Sequence, residues 1–180
     1  MKKFVYGVSV ASMVLMFIFF IMYINTKSNN ILVFGIVMMI ICYHLVVRIA
    51  VTALFNAFCT PEIVNPNEHQ FQQKDFEKWL YRKIGVRLWK NSFSSFDPNN
   101  FSLRFYSIDE LIFEGCKAEM VHKVCFFVGL LSLIFTVWFG AFTIYLAAAV
   151  FGAIYDLAII VVQRFNRPRL MRIAATGRYN

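Results

Sequence analysis

The chain has 180 residues, of which 59% are hydrophobic and 16% charged, with 21 Phe and a formal charge of +8. Soluble domains carry about 45–50% apolar and about 25% charged residues, so a soluble enzyme, a disordered chain and a disulfide-stapled secreted module are excluded. A mean hydropathy of +0.61 identifies an integral membrane protein instead. The basic excess does not signify nucleic acid: residues 59–123 hold nine basic and nine acidic side chains, while five Arg lie beyond Val162. Charge flanking apolar segments suits anionic lipid headgroups.

About 20 apolar residues cross ~30 Å of hydrocarbon. Phe4–Ile24 is uncharged and follows Lys2 and Lys3. It is too long for the apolar core of a signal peptide, and INTKSNN after it offers no small-residue cleavage site. A first span is therefore expected at about 4–24, and a second at about 31–50 beyond the polar Asn25–Asn30. The block Val124–Val162 has 39 residues, roughly 58 Å as helix and twice the hydrocarbon thickness. It must be a hairpin of two spans, about 122–138 and 140–162, turning at Trp138–Gly140.

The expected class is all-α: a polytopic membrane protein of four transmembrane helices forming a single membrane domain, 1–180. Residues 59–121 form a helical insert at the cytoplasmic interface between spans 2 and 3, and 163–180 a basic cytoplasmic tail. Four spans put both termini and the insert on one side, with 16 Lys and Arg against Lys27 alone on the other. The positive-inside rule makes that side cytoplasmic.

Within the insert, DFEKWLYRKIGVRLWK (Asp75–Lys90) sets Phe76, Trp79, Leu80 and Ile84 at helical spacing among basic residues. Such a helix either lies flat in the interface or packs on the rest of the protein. The polar run Asn91–Asn100 is expected as a loop. Ser107 and Glu110 form a capping box opening a helix that continues into the third span. Cys42, Cys59, Cys116 and Cys125 form no C-x-x-C pair and are expected to be reduced, structural thiols.

Ionisable groups inside spans are costly and therefore functional candidates. Three are present: His44, Arg48 and Asp156. Both of their helices run inward, so all three are expected near the cytoplasmic boundary, where the third span begins, facing one cavity. Against this stand a snorkelling Arg, a packing His and a structural Asp–Arg pair.

The helix entering the third span carries Glu114, Glu119 and His122. Glu119 and His122 are one turn and about 60° apart, which is contact distance. A carboxylate there fixes the imidazole tautomer, and the His can take a proton from a hydroxyl attacking an acyl carbonyl. Glu114 lies two turns below. E-x-x-H also serves as a di-iron half-site, but that requires a second copy, which is lacking; no metal and no cofactor are expected. After the last span, Gln163, Arg164, Asn166, Arg167 and Arg169 surround Pro168, which is expected to end the helix. Their guanidinium forks suit phosphate or carboxylate.

Three blocks carry a family resemblance. FEKWLYRKIGVRLWK places Val86, Arg87, Trp89 and Lys90 in a V-R-x-W-K core. EGCKAEMVH, with Glu114, Lys117, Ala118, Glu119 and His122, resembles E-T-x-R-A-E-L-x-H. IIVVQRFNRPRL is similar to I-I-V-Q-R-Y-N-R-P-R-L through Gln163, Arg164, Asn166, Arg167, Pro168 and Arg169. Together they resemble the bacterial glycosyl-4,4'-diaponeurosporenoate acyltransferase family, over roughly Asp75–Arg172. Asp156 and Ala158 stand where the family tends to have N-x-P.

The resemblance implies a membrane acyltransferase moving a fatty acyl group onto a hydroxyl-bearing lipid or glycolipid, with an acyl donor as second substrate. His122 would be the base, Glu119 its orienting partner, and Arg164, Arg167 and Arg169 the clamp for an anionic group. Arg87, Trp89, Gln163, Asn166, His44, Arg48 and Asp156 complete the substrate-binding candidates. Two alternatives remain at this stage: an intramembrane peptidase in which Glu114, Glu119 and His122 activate water, and a non-catalytic module that binds lipid or a partner membrane protein.

Overall fold

A computed structural model describes residues 2–90 and 106–176; the loop expected over 91–100 lies outside the described residues. Those residues form α1 (Lys2–Thr26), α2 (Asn29–Phe58), α3 (Asp75–Lys83), α4 (Val86–Trp89), α5 (Ile108–Leu130), α6 (Thr136–Phe139) and α7 (Phe142–Ala175), with a 3₁₀ segment, Leu131–Phe135, joining α5 to α6. No strand occurs among the described residues. Lys3–Thr26, Asn29–Phe58, Ile108–Phe139 and Phe142–Ala175 are each long and apolar enough to cross a membrane. In hydrocarbon every backbone N–H and C=O must be satisfied internally, which a helix achieves within its own segment. The protein is an all-helical membrane protein.

The breaks between helices have local causes. Lys27 takes a left-handed φ of 53° and its N–H caps the Tyr23 carbonyl at 2.8 Å, ending α1. Gly140 ends α6 at φ 65°, ψ −138°, a conformation closed to residues with a Cβ, and Ala141 follows at φ 52°. The chain reverses there. The capping box forms in both directions: Ser107 N donates to Glu110 Oε2 at 2.7 Å and Glu110 N to Ser107 Oγ at 3.3 Å. The helix expected over Asp75–Lys90 is split at Gly85, where φ is 63°.

Pro168 does not end the last helix. It lies inside α7, which continues to Ala175, so residues 163–175, expected as a tail, are helical. An interior proline loses one backbone bond and crowds the preceding turn, at a cost of about 3 kcal/mol. Here Arg164 and Arg167, both in the turn before it, are each held by several protein acceptors (below), which offsets that cost.

Two compact units share the chain: Met1–Thr52 with Val124–Tyr155, and Ala53–Lys123 with Asp156–Asn180. The core of the first is Ile36, Ile40 and Tyr145. The core of the second is Val64, Phe71 and Cys116, with Cys59, Phe113 and Met120 packed against it. None of the four cysteines is in a disulfide.

Candidate functional site

In the second unit, α5 and α7 together bring forward an imidazole and a carboxylate that the sequence keeps 34 residues apart. His122 Nδ1 lies 2.8 Å from Asp156 Oδ1. Asp156 is 1% exposed and the His122 side chain 19%, so the carboxylate is enclosed while the ring still reaches the surface. An ionised carboxylate only accepts, so a neutral ring facing it carries its proton on Nδ1 and its lone pair on Nε2. That is the tautomer a general base requires.

Glu119 is not the partner of His122. It is fully buried, and its oxygens are taken by cations: Oε1 by Arg164 Nη1 at 2.8 Å and Lys123 Nζ at 2.7 Å, Oε2 by Arg167 Nη2. Angular proximity on α5 allowed a contact with His122, but two guanidinium groups from α7 offer a buried carboxylate a far stronger interaction than a neutral ring. Glu114 is likewise committed, to Lys117 Nζ at 2.6 Å. Both carboxylates that the peptidase reading requires are thus held by protein cations.

Arg164 and Arg167 face inward, not toward a headgroup. Arg164 donates from Nε to Glu77 Oε1 at 2.9 Å, from Nη1 to the Gln70 carbonyl at 2.7 Å and from Nη2 to the Gln72 carbonyl at 2.8 Å. Arg167 donates from Nη1 to the Phe71 carbonyl at 2.7 Å and from Nη2 to the Gly115 carbonyl at 3.5 Å. Its Nε is buried with no hydrogen-bond partner among the described residues. These are the bidentate geometries for which Arg is suited, but the anions and carbonyls belong to the protein itself. Two of the three arginines expected as a clamp, Arg164 and Arg167, thus brace residues 70–72.

The remaining candidates divide between the units. In the second, Lys90 Nζ donates to Asn166 Oδ1 at 3.0 Å, and Gln163 Oε1 packs against Gly115. Trp89 Nε1 donates to the Ile84 carbonyl at 3.0 Å; Arg87 and Arg169 are exposed. In the first, the His44 ring fits between two glycines: a Cβ on Gly129 would lie 3.4 Å from its Cε1, and one on Gly152 3.3 Å. Arg48 donates to the His44 and Gly152 carbonyls, both at 3.3 Å, and stacks over Tyr155 at 5.4 Å.

Sequence reasoning missed Glu77, Lys123 and the carbonyls of residues 70–72. Glu77 sits one turn before Tyr81, whose hydroxyl donates to Glu77 Oε2 at 3.1 Å; burial and that carboxylate push the phenol pKa up. A polar pair opposite Phe76 and Trp79 was the available clue. An open groove of about 390 Å³ also lies in this unit, its lining including Pro61, Val64, Asp109, Ile112, Phe113 and Met171. Ile112 is about 15 Å along α5 from His122. Among the described residues no group of three or more His, Cys, Asp or Glu is placed to hold a metal ion.

A model of the glycosyl-4,4'-diaponeurosporenoate acyltransferase family matches residues 67–176. That stretch contains His122, Asp156, Glu119 and both buried arginines. No curated protein and no solved structure matches the chain.

Proposed function

The chain belongs to the glycosyl-4,4'-diaponeurosporenoate acyltransferase family; on that premise we propose that it acylates a hydroxyl of a membrane glycolipid at the cytoplasmic leaflet, with His122 as general base. One observation carries the assignment of the base: the 2.8 Å contact between His122 Nδ1 and the buried Asp156 carboxylate. His122 Nε2 takes the proton of the acceptor hydroxyl as its oxygen attacks the acyl carbonyl. The tetrahedral intermediate then collapses, and the leaving thiol or alcohol of the donor receives that proton from the imidazolium. Asp156 holds the tautomer and stabilises the transient imidazolium. Of the three arginines at the end of the last span expected to meet an anionic donor, Arg169 is the exposed one.

The leaflet follows from charge. Sixteen Lys and Arg share one side of the four spans and one Lys the other, which favours a plasma-membrane protein with both termini inside.

The test is acyl transfer by the purified chain in proteoliposomes, using a radiolabelled acyl donor and a glycosylated lipid acceptor. His122→Ala lowers product formation by about 10²–10⁴-fold, the usual contribution of a general base, with membrane insertion unchanged. Undiminished transfer by His122→Ala would remove the base from this assignment.

A further inference from the structure

α3 turns its ion-pairing side inward and its aromatic side outward. Glu77 and Tyr81 are buried, Glu77 against Arg164 Nη2 at 2.7 Å and Tyr81 edge-on to the Phe165 ring at 5.9 Å. Phe76 is 60% exposed, Trp79 58%, and Leu88 of α4 89%. Among them lie Lys78, Arg82, Lys83 and Arg87, all exposed. The Lys83 ammonium sits 4.8 Å over the Trp79 ring. The acidic exception is Asp75, exposed and paired with Lys78 at 3.2 Å, so the face is aromatic and net basic.

The depth of this face is fixed by its anchor. Arg164, which holds Glu77, stands two residues beyond Val162, where the apolar run of α7 ends. That is the level at which hydrocarbon gives way to headgroups. A helix with aromatic side chains and Lys or Arg on its outer face, held at that level, has the composition of one lying in the interface. A water-facing helix would instead turn its aromatics inward, where α3 has put a salt bridge.

We propose that α3 and α4 form a seat for an anionic leaflet: Phe76, Trp79 and Leu88 enter the acyl boundary, and Arg82, Lys83 and Arg87 meet the phosphates of acidic phospholipids. The lysine and arginine stems lie along the apolar boundary while their charged ends stay in the headgroups.

The experiment uses the full chain with Trp89→Phe and Trp138→Phe, which leaves Trp79 as its only indole, reconstituted in mixed phosphatidylcholine and phosphatidylglycerol bilayers. One lipid at a time carries brominated acyl chains. The expected result is blue-shifted Trp79 emission that loses most of its intensity, with stronger quenching by brominated phosphatidylglycerol than by brominated phosphatidylcholine at equal mole fraction. Arg82→Gln with Lys83→Gln narrows that difference, each basic side chain contributing about a fivefold lipid preference. A second reporter, Leu88→Trp with all three native Trp changed to Phe, repeats the measurement on α4 should the first variant fail to fold. Water-like emission without quenching overturns the proposal. Blue-shifted emission that no lipid quenches overturns it too, because a protein surface then covers the helix. Equal quenching by the two lipids overturns the anionic preference.

Discussion

Arg167 holds Phe71 twice: its Nη1 donates to the Phe71 carbonyl at 2.7 Å, and its guanidinium lies 5.1 Å over the Phe71 ring. One side chain of α7 thereby fixes both the backbone and the ring of a residue 96 positions earlier, at the centre of the second unit's core.

Arg167→Lys is therefore expected to lower stability even though the charge survives. A lysine cannot hold Glu119 and the Phe71 carbonyl in one plane, and losing hydrogen bonds of this charged kind costs about 2–3 kcal/mol. The midpoint of thermal unfolding in detergent measures it. An Arg167→Lys protein of wild-type stability with no transferase activity would return the residue to the substrate clamp.

Glu119 and Asp156 should separate cleanly. Glu119→Ala leaves Arg164, Arg167 and Lys123 around a missing charge, and breaking a buried pair in this way costs about 3–5 kcal/mol. Asp156→Asn keeps the shape but no longer fixes the His122 tautomer, so turnover falls by roughly 10²–10⁴-fold with less effect on unfolding. Unfolding midpoints and acyl-transfer rates, measured together on both variants, decide the point. The opposite pattern would make Glu119 the orienting carboxylate.

Gly129→Ala and Gly152→Ala test the seat of His44. Alanine normally improves a helix by about 1 kcal/mol over glycine. Here the added methyl groups would press on the same imidazole at 3.4 and 3.3 Å, so the ring cannot yield to one without meeting the other. The double variant is expected to be less stable by about 1–3 kcal/mol, the usual cost of overpacking, and His44→Ala should relieve most of it. A stabilised double variant would contradict the packing.

Single cysteines at Lys27 and Thr176, in a background without the four native thiols, should react with an impermeant maleimide from opposite faces of the membrane. The Lys27 position is expected to label from outside intact cells and Thr176 only after permeabilisation. Labelling of both from the same side would end the four-span topology.

The spans, the reversal at Gly140 and the capping box at Ser107 were legible because each is written locally, in a run of apolar residues, a glycine, or a hydroxyl three residues before a carboxylate. The partners of Glu119 were not. A helical wheel lists what a side chain can touch on its own helix, and for Glu119 and His122 it offered one plausible contact. The choice was made by α7, which supplied Arg164 and Arg167 to one and Asp156 to the other. Asp156 was legible as a costly intramembrane charge, but not as the companion of His122. Pro168 misled for the same reason: its local cost was correct, and the ion pairs that offset it come from residues 40 to 90 positions away.

The brace on residues 70–72 also sets an order of events during synthesis. Arg164 is made 94 residues after Gln70, which at ~5–20 residues per second is a delay of roughly 5–20 s. Until then Glu77 and Glu119 have no guanidinium to neutralise them, and the carbonyls of Gln70, Phe71 and Gln72 must remain hydrated. The second unit cannot close before the last helix has left the ribosome. A nascent chain stopped at Val162 would hold every apolar span and still present Glu77 without its guanidinium, and Glu119 with Lys123 alone, to the quality-control proteases of the membrane.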